Sequence, residues 1–192
     1  MDLLEKINKF GKIIKDNGFI YQCDNKDYGY LNVAFDPLKD ISLYKKVEDL
    51  LSWKIPEDLM NLYQRYNGLM MFSESFRIYG LGIEKRYKIN TIDIMQINST
   101  ALLFRKTNKF KNMVIFGTYG YYYLCYSRDD NRKVFVIGSR ELEIMHIFND
   151  LYQLFEYYIG KLCDEYDDKG YKIHIEEGKE SSIFVNKTTE FI

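Results

Sequence analysis

Residues 53–68 read Trp-Lys-Ile-Pro-Glu-Asp-Leu-Met-Asn-Leu-Tyr-Gln-Arg-Tyr-Asn-Gly, a segment with a start signal, one apolar stripe and a stop signal. Pro56 in a first helical turn loses no hydrogen bond and presets the backbone. Glu57 and Asp58 suit the positive end of the helix dipole, and Gly68 is free to take a left-handed stop. Leu59, Leu62, Tyr63 and Tyr66 then share one face. A stripe of this kind packs a core, so the segment predicts a short helix docked on a larger body and carries no reaction chemistry of its own.

Around it the apolar period switches between helix and strand. Leu3, Leu4, Ile7, Phe10, Ile13 and Ile14 recur at helical spacing, with Asp2 as N-cap and Gly18 as stop, and predict an amphipathic first helix. Residues 19–23 and 28–35 read as strands joined by a turn at 25–27. Asp36-Pro37 breaks the run, and residues 41–52 read as a helix with Leu43, Val47, Leu50 and Leu51 on one face. Beyond Gly68, residues 69–72 and 77–81 are short strand-like pieces around Ser73-Glu74-Ser75. Residues 91–104 suggest a further helix, weakened by Asn98 and Ser99.

The clearest sheet signal is a three-stranded antiparallel meander: 112–116, a turn at 117–120, 121–126, a turn at 127–132, and 133–137. Asp150 with Gln153 opens a late helix ending near Gly160, and residues 171–175 and 182–185 suggest a hairpin or tail. The expectation is an α+β fold: a mostly antiparallel sheet with helices packed on it.

A chain of 192 residues and 23.0 kDa fits a single domain and buries about 70% of its unfolded surface, so neither disulfides nor metals are required for stability. The formal net charge of -1 gives no field that would recruit nucleic acid. Cys23, Cys125 and Cys163 are odd in number and widely spaced, the pattern of reduced cytosolic thiols. Charges interrupt the apolar pattern at the N-terminus, and no apolar run approaches the roughly 18 residues of a membrane span. A cytoplasmic protein with no membrane partner is expected.

Catalytic and ligand-binding patterns are weak throughout. His146 and His174 are the only histidines and neither sits at a ligand spacing, so no metal or other cofactor is expected. Gly117-Thr-Tyr-Gly120 lacks the Gly-Lys-Ser/Thr ending of a phosphate loop and leads into a strand. Glu57 with Asp58, and Asp129 with Asp130, are adjacent carboxyl pairs, better placed for a helix dipole and a turn than for one substrate bond. The run from Arg105 to Lys111, with Phe104 and Phe110 interleaved, reads as a solvated loop in preference to a single-strand groove. Tyrosine is abundant, 18 residues against 13 Phe and 1 Trp. That abundance fits a protein-contact surface and equally follows from AT-rich coding.

Four pieces in order resemble the SUKH superfamily, the Smi/Knr-type domain. They are Ile55-Pro56-Glu57-Asp58-Leu59 with Leu62-Tyr63 and Tyr66-Asn67-Gly68; Phe76-Arg77-Ile78-Tyr79-Gly80; Val114-Ile115-Phe116-Gly117 through Gly120 to Tyr123-Leu124-Cys125; and Phe148-Asn149-Asp150-Leu151-Tyr152-Gln153-Leu154-Phe155. The resemblance covers about residues 43–163, leaving residues 1–42 as an N-terminal helix and strand extension and 164–192 as a C-terminal hairpin or tail of one domain, 1–192.

What the resemblance implies is an immunity protein without catalytic activity, one that occludes a cognate bacterial toxin, often a nuclease or other nucleic-acid-modifying domain, and makes no direct contact with nucleic acid. Tyr79, Tyr119, Tyr121 and Tyr123 would anchor the toxin, and Asp129 and Asp130 would meet a basic groove. Two competing classes are a regulatory scaffold of the same fold and a hydrolase using dispersed carboxylates.

Overall fold

A computed structural model of the chain describes residues 13–16, 19–22, 32–82, 93–101, 107–166 and 173. Among these, nine strands form one antiparallel sheet in sequence order: β1 Ile13–Asp16, β2 Phe19–Gln22, β3 Asn32–Phe35, β4 Leu69–Met71, β5 Phe76–Ile78, β6 Met113–Tyr119, β7 Tyr122–Ser127, β8 Val134–Gly138 and β9 Ile144–Phe148. Four α-helices are described, α1 Ser42–Leu51, α2 Glu57–Tyr63, α3 Ile94–Thr100 and α4 Leu151–Asp164, with a 3-10 turn at Asn108–Phe110. The fold is α+β, as the sequence pattern predicts.

Residues alternate across the sheet, and the helix-covered face carries Phe76, Ile78, Tyr122, Leu124, Tyr126, Val134, Val136, His146 and Phe148. α4 crosses that face. Its Phe155 meets Phe76 edge-on with ring centroids 5.6 Å apart, its Tyr158 lies 4.1 Å from Tyr119, and Tyr166 just beyond it lies 5.4 Å from Phe72. α2 lies beside α4, with Leu59, Leu62 and Tyr63 buried together with Tyr66 just beyond it.

One carboxyl group joins these layers. Asp58, in the first turn of α2, accepts at Oδ2 from the Tyr126 hydroxyl (2.8 Å) and from the Leu151 N–H (2.9 Å), the first residue of α4. It therefore holds β7 and caps α4 from outside that helix. α4 has its own cap as well: Asp150 accepts from Gln153 N–H at 2.8 Å, and Gln153 Oε1 accepts from Asn149 N–H at 3.1 Å.

The Asn67-Gly68 pair forms a second joint. Asn67 N–H donates to Phe35 O (2.8 Å), Asn67 Oδ1 accepts from Leu81 N–H (2.7 Å), and Phe35 N–H donates to Gly68 O (3.2 Å). A Cβ on Gly80 would lie 2.4 Å from the Asn67 carbonyl oxygen, and one on Gly68 would lie 2.9 Å from Gly80 N and Ile78 O. The two glycines let three backbone segments approach within contact distance.

Several expectations need correction. Pro56 is the N-cap residue (φ -58°, ψ 150°), and α2 ends at Tyr63, so Gly68 (φ +104°) opens β4 and does not stop the helix. Residues 13–16 of the expected first helix form β1, while 1–12 lie outside the described residues, as do the turn at 25–27, residues 28–31 and the strand pieces of the tail. Leu50 is exposed, and only Val47 and Leu51 of α1 are buried. Gly117 to Tyr119 belong to β6, so the turn shrinks to Gly120-Tyr121. α4 runs through Gly160 to Asp164. Asn98 strengthens α3: Nδ2 donates to Ile115 O (2.7 Å) and Oδ1 accepts from Ile115 N–H (3.0 Å), standing in for a neighbouring strand where β5 has ended.

Two substitutions test these joints by urea unfolding. Asp58→Ala strands a buried tyrosine hydroxyl and a helix N–H, and is expected to cost about 2–4 kcal/mol, more than Tyr126→Phe at about 1 kcal/mol. Gly80→Ala is expected to cost at least about 2 kcal/mol, because its Cβ meets backbone. Gly160→Ala, in open space within α4, is expected to stabilise by about 0.5–1 kcal/mol.

Candidate functional site

Three turns meet at one end of the sheet. The β6–β7 hairpin closes with Tyr119 opposite Tyr122, and Gly120 takes φ +51° at its first central position, a conformation that favours glycine. Gly120 N–H donates to Ser75 O (2.9 Å) in the β4–β5 turn, and Ser139 N–H in the β8–β9 connection donates to Tyr121 O (3.0 Å). The tip is thus held from both sides. Tyr121 projects from it at 73% exposure, with the Arg140 guanidinium 5.0 Å from its ring centroid, a cation–π pair.

The β4–β5 turn is strained. Phe72, Ser73 and Glu74 have φ of 51°, 53° and 74°, a left-handed run that non-glycine residues rarely adopt. Two of its anchors are deep, Phe72 N–H donating to Asn32 Oδ1 (3.0 Å) and the Tyr166 hydroxyl donating to Phe72 O (3.1 Å), and at the surface Arg77 pairs with Glu74.

The tyrosines expected at a contact surface are sorted onto different faces. Tyr123 on β7 lies opposite Thr118, and the Tyr79 hydroxyl hydrogen-bonds the Thr118 side chain, which places Tyr79, Thr118 and Tyr123 together on the face away from α4. Tyr123 is half-buried and Tyr79 is buried, with a hydroxyl raised by that burial. Tyr119 points to the opposite face, stacked on Tyr122 (6.2 Å) and against Tyr158. Burial, with Glu165 and neighbouring tyrosines adding to it, pushes its hydroxyl up to about 12.

Asp129 and Asp130 sit beyond the far end of β7, six residues or roughly 20 Å from the hairpin tip. Asp129 accepts from Asn112 Nδ2 at 2.7 Å, and Asp130 is held below the usual carboxylate range by its hydrogen bonds to Arg132. The geometry therefore brings Tyr121 to the tip, half-buried Tyr123 to one face below it, half-buried Tyr119 to the α4 face, Tyr79 into the core, and the Asp pair to the other end. Arg140 escapes sequence reasoning because it lies in a connection with no periodicity; its contact with Tyr121 depends on the Ser139 backbone bond.

Chemistry elsewhere is sparse. Among the described residues no group of three or more His, Cys, Asp or Glu is arranged to hold a metal. His146 lies in an aromatic cluster with Phe148, Tyr157 and Tyr158, its imidazole lowered mainly by burial and further by Lys161. Burial pushes the Cys125 thiol well up, the opposite of an activated nucleophile. No described helix is long and apolar enough to cross a membrane.

The family model described as SMI1 / KNR4 family (SUKH-1) matches residues 37–157, a span that takes in α1 to α3, β4 to β9 and half of α4. It begins and ends six residues before the 43–163 read from the motifs. No curated protein matches the chain.

The sorting of tyrosines predicts alkaline behaviour. A hydroxyl raised in the folded state contributes stability that is intact below the ordinary value near 10 and is lost as pH rises toward 12. Ultraviolet titration is expected to show exposed phenols ionising first, and the buried hydroxyls of Tyr63, Tyr126 and Tyr158 only on unfolding. Tyr119→Phe is expected to flatten the loss of stability between pH 10 and 12, measured by urea midpoints across that window.

Proposed function

The chain belongs to the SMI1 / KNR4 family (SUKH-1), and from that membership we propose that it is an immunity protein that binds a cognate protein toxin and blocks it by occlusion. In this reading the chain performs no chemistry. It covers the toxin's active site or substrate groove, and the toxin is a nuclease or another enzyme acting on nucleic acid.

The observation that carries the location is Tyr121: an aromatic side chain 73% exposed at a hairpin tip clamped on both sides, with Arg140 against its ring. Tyrosine and arginine dominate the energetic centres of protein interfaces, and a preorganised tip loses little entropy on docking. Half-buried Tyr123 extends the surface below the tip, and buried Tyr79 supports it from beneath. An interface of about 800 Å² per partner spans roughly 30 Å, so the same toxin face reaches Asp129 and Asp130 beyond the other end of β7. There the two carboxyl groups would oppose basic residues that the toxin uses to hold phosphates.

The test is a pulldown of the tagged chain from its native cells to recover a toxin domain, followed by titration of the purified pair. Toxin activity is expected to vanish at one equivalent. Tyr121→Ala is expected to weaken binding by about 10- to 100-fold, and Asp130→Asn to slow association, more so at low salt. A toxin that keeps its activity at excess protein sinks the immunity reading. Neutralisation unaffected by Tyr121→Ala and Tyr123→Ala moves the contact surface elsewhere.

A further inference from the structure

β9 is one edge of the sheet, with β8 on one side and no described strand on the other. Natural edge strands are protected by lysine, proline or inward charge, and Ile144-Met145-His146-Ile147-Phe148 contains none of these. The one irregularity, a register shift at Met145, leaves residues 146–148 regular.

Four large apolar or aromatic side chains are exposed there: Ile144 (38%), Met145 (45%) and Ile147 (54%) on β9, and Tyr157 (37%), which packs on His146 and Phe148 from α4. Among the described residues the other five, Ile41, Leu50, Tyr121, Tyr152 and Ile173, are scattered, so this edge is where their exposed apolar surface concentrates. We infer that this edge, β9 with the outer side of α4, is the interface of a symmetric homodimer in which β9 pairs antiparallel with β9 of a second copy.

Residues 146–148 are self-complementary under a two-fold axis, and Ile144 and Met145 then face Asp150 and Asn149 of the second copy, just beyond its β9. Centred on Ile147, antiparallel pairing sets Ile147 against its own copy and His146 against the second copy's Phe148. Facing residues keep to the same side of the joined sheet. Ile147 shares a face with Phe135, and His146 and Phe148 share the helix-covered face with Tyr157. No like charges meet across the strand.

The size agrees. The four side chains expose somewhat under two residues' worth of surface, roughly 350 Å² at ~200 Å² each. Two copies contribute roughly 700 Å², and since apolar atoms make up about two thirds of a homodimer interface, the whole comes to roughly 1,000 Å². That meets the size at which a biological interface separates from a chance contact. The hairpin tip with Tyr121 adjoins β9 through the 139–143 connection yet lies off the two-fold, so this inference stands apart from the toxin-binding reading.

Light scattering on the full chain at about 100 µM is expected to give twice the 23.0 kDa chain mass. A monomer at that concentration overturns the proposal. Ile147→Lys is expected to weaken dimerisation by at least 100-fold with unchanged circular dichroism, whereas a dimer that survives it forms elsewhere and also overturns the proposal.

A second variant needs no loss of function. Ile147→Cys places two thiols across the axis, where paired strands stand about 5 Å apart, within disulfide reach. Copper(II)-phenanthroline, accepting the two electrons, is expected to link the copies faster than it links Ile41→Cys, an exposed control on the approach to α1. Equal rates would refute β9 pairing.

Discussion

The bond pair at Asp58 sets the relation of sheet to helices. Tyr126 is fully buried, packed against Phe116 with centroids 4.8 Å apart and against Trp53 at 6.1 Å, and its hydroxyl would lie dry and unpaired without Asp58. A stranded hydroxyl in such a place costs about as much as a large part of the stability of a typical domain margin. The same oxygen takes the first N–H of α4, so one side chain fixes where α2, β7 and α4 meet. Pro56 makes this possible. As N-cap with ψ 150°, it starts the helix at Glu57 and puts Asp58 in the first turn, where the backbone is already rigid.

The Asn67-Gly68 joint depends on that placement. α2 ends at Tyr63, and the chain then runs to Asn67, whose N–H and side-chain oxygen serve β3 and the segment after β5. The sequence makes the helix legible because proline, two acids and an apolar stripe are local signals. It misplaces the end because the competing partners, Phe35 O and Leu81 N–H, lie 32 and 14 residues away in sequence, and no local pattern carries them. Asn98 repeats the lesson. A poor helix former in isolation becomes the residue that ties α3 to β6, since its amide satisfies both backbone groups of Ile115.

Strands were legible where turns bound an apolar run. β6, β7 and β8, buried on both faces over most of their length, show through their bounding turns and aromatic content. β9 does not: Ile144 to Phe148 is apolar on both faces, one set meeting α4 and the other standing exposed, so neither period 2 nor 3.6 marks it. Residues 13 and 14 fail for a different reason. Their spacing continues a helical pattern, but pairing with Tyr21 and Gln22 in β2 decides their conformation, and strand formation depends on such partners more than on intrinsic preference.

The candidate surface was legible as a composition and not as a place. Tyr119, Tyr121, Tyr122 and Tyr123 are indistinguishable by type, and the hairpin sorts them. Because side chains alternate with period 2, moving the turn by one residue would exchange every tyrosine between the α4 face and the opposite face. Gly120 prevents this: its φ of +51° admits glycine most readily, and its N–H is committed to Ser75 O. That bond in turn leans on the strained Phe72–Glu74 run, whose left-handed backbone persists because Asn32, Tyr166 and Arg77 hold it. The exposure of Tyr121 is thus a consequence of a chain of polar contacts running back to the buried Asn32 of β3, and a change at Asn32, far from the tip in sequence, acts on the surface through that chain.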